Sequence, residues 1–109
     1  MNGKYILDVN GDPVEEPDLR KWGRWFEVTE NRVVAREIVG NANVSTVFLG
    51  LDHAFDGGIP ILFETMIFGG EHNEYQERYA TRAGAIDGHN RVVAALKAGR
   101  SPEIRTASE

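Results

Sequence analysis

Between Ser45 and Phe68, apolar residues fill both sides of two short runs, STVFLGL and PILFETMIF, joined by a polar loop at Asp56-Gly57-Gly58. Side chains along a strand alternate between faces. Val44, Thr46 and Phe48 therefore share one face, and Val47, Leu49 and Leu51 the other. In the second run Ile61, Phe63 and Ile67 alternate with Leu62, Met66 and Phe68. A hairpin apolar on both faces needs cover on two sides. Set inside this apolar material are Asp52, His53, Glu64 and Thr65, the first candidates for chemistry.

The flanking pattern supplies the remaining elements. Lys4 to Val9 reads as a short strand closed by Asn10-Gly11-Asp12-Pro13, because Asn-Gly tolerates the positive φ of a tight turn. Val14-Glu15-Glu16 is its return. Pro17 and Asp18 open a helix on which Leu19, Trp22 and Phe26 recur at helical spacing, ending near Glu27 or Val28. Gly23, costly by about 1 kcal/mol in a helix interior, predicts a close backbone approach. Asn31 turns the chain into the β-branched run Arg32 to Val39, ended by Gly40-Asn41. Downstream, Tyr75 to Tyr79 alternates with both tyrosines on one side. Thr81 caps a second helix running to about Ala98, with Gly99 as its left-handed stop. Ile86, Val93 and Leu96 mark its apolar stripe, with His89 among them. Residues 100–109 read as a polar, loose tail. Together these elements predict one α+β domain over residues 1–99. Its antiparallel sheet has four to five strands, with two helices packed on one face.

Composition narrows the function classes. The chain has 109 residues, enough for one core, and a net charge of −5 with its basic residues scattered among acids. That balance argues against a duplex nucleic-acid binder, which needs clustered Lys and Arg for phosphate contacts. With no cysteine, disulfides, thiolate nucleophiles and zinc ribbons are excluded. No basic segment followed by an apolar core opens the chain, and the apolar runs are too short to span a bilayer. The expectation is a cytoplasmic protein without a membrane partner.

Glu64 is the sharpest anomaly, an acid between Leu62 and Met66 on a central strand. A buried carboxylate must be paired, solvated or protonated. Arg78, Arg36 and His53 are candidate partners, and an internal ion pair is the commoner outcome. Asp52-His53 stands where the first central strand enters the loop, and an Asp–His neighbour pair can orient an imidazole. Adjacent strand residues face opposite ways, so loop capping by Asp52 competes with that reading. His89, packed against the sheet, must bond something: Glu64 or a tyrosine hydroxyl would serve. A wet pocket lined by His89, Glu64 and Arg78 is the functional alternative. No His-x-x-x-His, His-Glu-x-x-His or Asp-rich loop occurs, so no metal is expected. No phosphate-loop or nucleotide fingerprint occurs either, so no cofactor is expected. Trp22, Trp25 and Phe26 offer an aromatic platform, although packing on the sheet is the simpler use of such residues.

Lys21-Trp22 through Trp25-Phe26-Glu27, then STVFLGLDH, LFETMIFGG and Glu77-Arg78-Tyr79, resemble a group of small uncharacterised proteins encoded in bacteriophage and prophage genomes. The resemblance covers most of residues 1–97. It implies a setting, a phage-associated accessory protein acting in the bacterial cytoplasm or a minor virion part, and no activity. The two-faced hairpin then predicts a non-enzymatic binding module, a homodimer that engages a host protein or a small metabolite. Asp52, His53, Glu64, Arg78 and His89 are its ligand-binding candidates. Two alternatives stand beside it: a small hydrolase or lyase with a Glu–His acid–base pair, and a structural interaction subunit with exposed apolar patches.

Overall fold

Asn10-Gly11 turns the chain as its chemistry demands: Gly11 takes φ +82°, and Asp8 Oδ1 accepts the Asn10 and Asp12 N–H groups at 2.9 and 3.0 Å. The hairpin so formed pairs β1 (Tyr5–Leu7) with β2 (Pro13–Glu15). The computed structural model describes residues 3–54 and 57–103. Helix α1 (Leu19–Phe26) follows, capped by Asp18, whose carboxylate accepts from Arg20 N and Lys21 N. A single 3₁₀ turn, Thr29–Asn31, leads into the main sheet.

That sheet is an antiparallel meander of β3 (Val33–Val39), β4 (Ala42–Phe48), β5 (Phe63–Phe68) and β6 (Gln76–Tyr79), ordered as in the sequence. Its register fixes the cross-strand rows. Phe48 faces Phe63 and Tyr79; Ala35, Thr46, Thr65 and Glu77 form the next row; Glu37, Val44 and Ile67 form a third. These rows lie beneath α2 (Arg82–Lys97), which Thr81 caps by accepting Gly84 N–H at 3.0 Å. Gly99 at φ +71° ends α2, with its N–H on Leu96 O and the Arg100 N–H on Ala95 O.

Both helices lie on one side of the sheet. Helix α2 covers its length, while α1 sits near one end, where Trp25 meets the Phe48 ring edge-on at 5.6 Å. Trp22 instead stacks on Phe26 at 4.7 Å, and the Arg32 guanidinium lies 4.3 Å from the Phe26 centroid. Gly50 makes room for that stack, since a Cβ there would come within 2.7 Å of the Phe26 ring.

The core is two apolar clusters. Tyr5, Phe48, Leu62, Phe63 and Ala85 form one; Ala42, Val44, Ile67, Val92 and Val93 form the other. The Thr46–Thr65 row runs between them.

Three expectations from the sequence need correction. Ile86 is exposed, and the buried stripe of α2 runs through Ala85, Gly88, His89, Val92, Val93 and Ala95. The expected stripe therefore holds at Val93 and Leu96 and departs only at its start, where Ala85 and Gly88 carry little hydrophobic signal. Gly23 has open space around its Cβ position, so no close approach requires it. The tail predicted from residue 100 is anchored at its start, because Pro102 is fully buried. Residues 104–109 of that tail lie outside the described residues.

Candidate functional site

The row between the core clusters carries the polar chemistry of the molecule. Thr46 and Thr65 are directly opposite on adjacent strands. Both side chains are buried, and their hydroxyls lie 2.5 Å apart. Helix α2 brings His89 Nδ1 to 2.7 Å from Thr46 Oγ1. On the other side, the Tyr79 hydroxyl lies 3.0 Å from Thr65 Oγ1 and 3.0 Å from Glu77 Oε1. Glu77 also accepts from Arg91 Nη2 and from the Tyr75 hydroxyl. Arg91 Nη1 and Tyr75 then both reach the Pro102 carbonyl, at 2.7 and 3.2 Å. One seam of hydrogen bonds thus runs from His89 across β4, β5 and β6 to the segment after α2.

The protons can be assigned by counting. Ionised Glu77 only accepts, and a bond to a carboxylate is the stronger use of a phenol proton. Tyr79 therefore donates to Glu77, and Thr65 donates to Tyr79. Thr46 donates to Thr65, which leaves His89 to donate from Nδ1. Burial lowers the His89 pKa, against a smaller opposing pull from Glu37, so the ring is neutral near pH 7. Burial, reinforced by Glu77, pushes the Tyr75 phenol up to about 12. Tyr79 is raised as well, again chiefly by burial. Every fully enclosed side-chain N or O among the described residues has a hydrogen-bond partner.

Gly88 makes the seam possible. A Cβ at that position would stand 2.3 Å from the Tyr79 ring and hydroxyl, so the phenol lies directly on the helix backbone.

The five sequence candidates do not assemble. Asp52 caps the loop: its Oδ1 accepts Ala54 N–H at 2.8 Å and Ile61 N–H at 3.0 Å, which closes both sides of the β4–β5 connection. His53 is half-buried there, with its backbone N–H on Ile61 O at 3.0 Å. Glu64 pairs with Arg78, its cross-strand neighbour, at 2.9 Å. Thr65 faces α2, so Glu64 and Arg78 point to the opposite side of the sheet from His89. The predicted pocket of His89, Glu64 and Arg78 does not exist, and Glu64 and His89 cannot act on one substrate. His89 finds its partner in a threonine, and reaches a tyrosine hydroxyl only through two of them.

The sequence singled out Thr65 and put Thr46 on one face with Val44 and Phe48, but it did not bring out Glu77, Tyr79 and Arg91 as a group. The available signal was Glu77 between Tyr75 and Tyr79 on the inward side of β6, where an acid demands a cation. Arg91, within the helix that Thr81 caps, was that cation.

The outer face of the sheet differs in kind. It presents Val33, Arg36 and Ile38 on β3, and Asn43, Ser45 and Val47 on β4. Glu64, Met66 and Phe68 follow on β5, with Gln76 and Arg78 on β6. No described helix covers it. Ile38 is 73% exposed and Phe68 49%, while Val47 and Met66 are half-buried.

Among the described residues no group of three His, Asp or Glu side chains could hold a metal ion, and no helix is long and apolar enough to cross a membrane. Compared with known protein families, curated proteins and solved structures, the chain matches none.

Proposed function

We propose that this protein is a non-catalytic binding module that works as a two-fold dimer, apposing the open face of its sheet to that of a second copy. The observation that carries this is one-sided cover: both helices take the inner face, which leaves Ile38 and Phe68 exposed beside Val47 and Met66. An antiparallel sheet tolerates one solvated face, but that face is then ordinarily polar. Charge favours the same surface. The chain carries −5 overall, yet the open face holds Arg36, Arg78 and Glu64, so the excess negative charge lies elsewhere.

Size sets the expected strength. Strands of seven, seven, six and four residues, about 4.8 Å apart with ~3.4 Å per residue, make a footprint of roughly 390 Å². Over both partners that is about 800 Å², below the range of stable interfaces, so the dimer proposed is a weak, exchanging one. The seam residues fit a module of this kind, because their hydrogen bonds are spent on each other. The phage setting suggested by STVFLGLDH and LFETMIFGG gives the proposal its context, with a host protein as the other occupant of this face.

Light scattering across the micromolar range tests the proposal. The expected result is a mass that rises from monomer to dimer with concentration. Ile38→Glu and Phe68→Glu should each raise the dissociation constant at least tenfold while the circular dichroism stays unchanged. A monomer mass at every concentration ends the self-pairing reading.

A further inference from the structure

A second surface, far from the open face in kind, carries a site for a ligand. At one end of the sheet, the β3–β4 turn, the β5–β6 turn and the C-terminal end of α2 enclose a cleft of about 150 Å³. Its floor is apolar: Val39, Ala42 and Leu96. Asn41, Glu71, His72 and Arg100 supply its polar lining. Arg100 enters no ion pair among the described residues. Glu71 makes no ion pair with it: that side chain is 89% exposed and lies 3.8 Å from His72.

The guanidinium is also carried on an anchored segment. The Arg100 N–H donates to Ala95 O at 2.8 Å, and two residues later the Pro102 carbonyl is held by Arg91 and Tyr75. The anchoring fixes the backbone of Arg100 beside the cleft, while its exposed side chain stays free to adapt to a partner. Gly70, at φ +76°, keeps the wall thin, because a Cβ there would lie 3.0 Å from Asn41 Oδ1 and 3.3 Å from Ala42 Cβ.

From these features we infer that the cleft binds a carboxylate carried on a short branched apolar body. The apolar part rests on Val39, Ala42 and Leu96, and the carboxylate pairs with Arg100, with His72 and Asn41 beside it. The volume holds about five waters, which matches a ligand the size of isovalerate. Two sources share this chemistry, a free short-chain acid and the C-terminal leucine or valine of a peptide. The site shares no residue with the proposed dimer face, so either can fail without the other.

Titration of the full chain, followed by ¹H–¹⁵N correlation spectra, tests the inference with four probes: isovalerate, isovaleramide, and a tetrapeptide ending in leucine with a free or an amidated terminus. Saturable shifts at the Val39, Ala42 and Leu96 amides with a millimolar dissociation constant are expected for at least one carboxylate probe. The matching amide should bind at least fivefold more weakly, and Arg100→Gln should erase that preference. Tighter binding of the free acid identifies a metabolite, and tighter binding of the peptide identifies a chain end. Equal shifts from acid and amide, or no saturable shift from either carboxylate, overturns the inference. Arg100 is exposed and outside the core, so its substitution leaves the fold intact and the comparison valid.

Discussion

The two faces of the central sheet invert the usual division of labour. Under α2 lie a histidine, two threonines, two tyrosines, a glutamate and an arginine, joined by hydrogen bonds and sealed between apolar clusters. On the outer face stand Ile38 and Phe68, apolar and exposed. The residues that resemble catalytic machinery are engaged with one another, while the greasy residues are free to meet something else. A polar seam of this kind contributes specificity. Sliding β5 by one residue would turn Thr65 outward and Glu64 inward, and the seam would lose its partners. Chemistry-bearing residue types are therefore a poor guide to function here, and unmatched surface is a better one.

The largest break in this contrast comes from the seam's single cation. Arg91 neutralises Glu77, whose side chain is only 7% exposed. Arg91→Ala strands that carboxylate and removes the main hold on Pro102. Because the Arg91 side chain is 38% exposed, solvent offsets part of the loss, and the cost should be about 2–4 kcal/mol, below that of a fully buried pair. Urea denaturation measures this, and trypsin provides a local readout: cleavage after Arg100 should accelerate more than cleavage elsewhere. A loss below ~1 kcal/mol would show that Glu77 is not buried as a charge. Next in size is Gly88→Ala. In a free helix the change would stabilise by up to about 1 kcal/mol. Here it collides with Tyr79, so the expected effect is a loss of about 1–3 kcal/mol. Tyr79→Phe in the same background tests the mechanism: the ring remains, so most of the loss should persist.

The seam also gives stability a pH dependence with a definite sign. Burial holds His89 below its usual value near 6.5. As pH falls through that value, the unfolded chain takes up a proton before the folded one does. Stability is then fully present above about 6.5 and declines below it, toward the lowered folded value. Thr46 on β4 and Glu37 on β3 are the groups that face the ring, and Glu37, bound to Lys97, remains ionised across this window because that lysine lowers its pKa. The measurement is denaturant midpoint from pH 7.5 to 5.5, where His89→Gln should flatten the slope despite its lower absolute stability. An unchanged slope would mean that His89 titrates as it does in the unfolded chain. A ¹⁵N spectrum should also show the proton on Nδ1.

How much of this was legible beforehand depends on the kind of signal each residue carries. Strands and caps were readable because Asn10-Gly11, Asp18, Thr81 and Gly99 act locally, through their own backbone geometry. The alternation in Val44-Thr46-Phe48 correctly put Thr46 on the same face as Val44 and Phe48, without saying which face α2 covers. What a single sequence cannot display is register between strands. Glu64 sits beside Arg78 and away from His89 only because Val47, Glu64 and Arg78 share a row, and that row is set by the turns. The seam was hidden for the same reason: Glu77 and Arg91 belong to different elements and meet through tertiary packing. Pro102 gave no periodic signal, since its burial depends on a carbonyl bound by Arg91.

The smallest effect on stability sharpens the contrast most. Glu64 and Arg78 form an ion pair on the open face, with side chains 15% and 39% exposed. A pair so placed contributes about 0.2–1 kcal/mol to folding, and Glu64→Gln should cost no more than that in a denaturant melt of the dilute monomer. Association is a different matter. In the proposed dimer both charges leave water together, and the Glu64→Gln variant would leave Arg78 to be desolvated without its counter-charge. The dissociation constant should then rise about tenfold or more, well beyond the folding effect. Replacing both partners, Glu64→Met with Arg78→Leu, removes the charges as a pair and should restore association to the original level or better. Equal small losses in folding and association for Glu64→Gln would place this pair outside the interface, and would leave Ile38 and Phe68 as its only support.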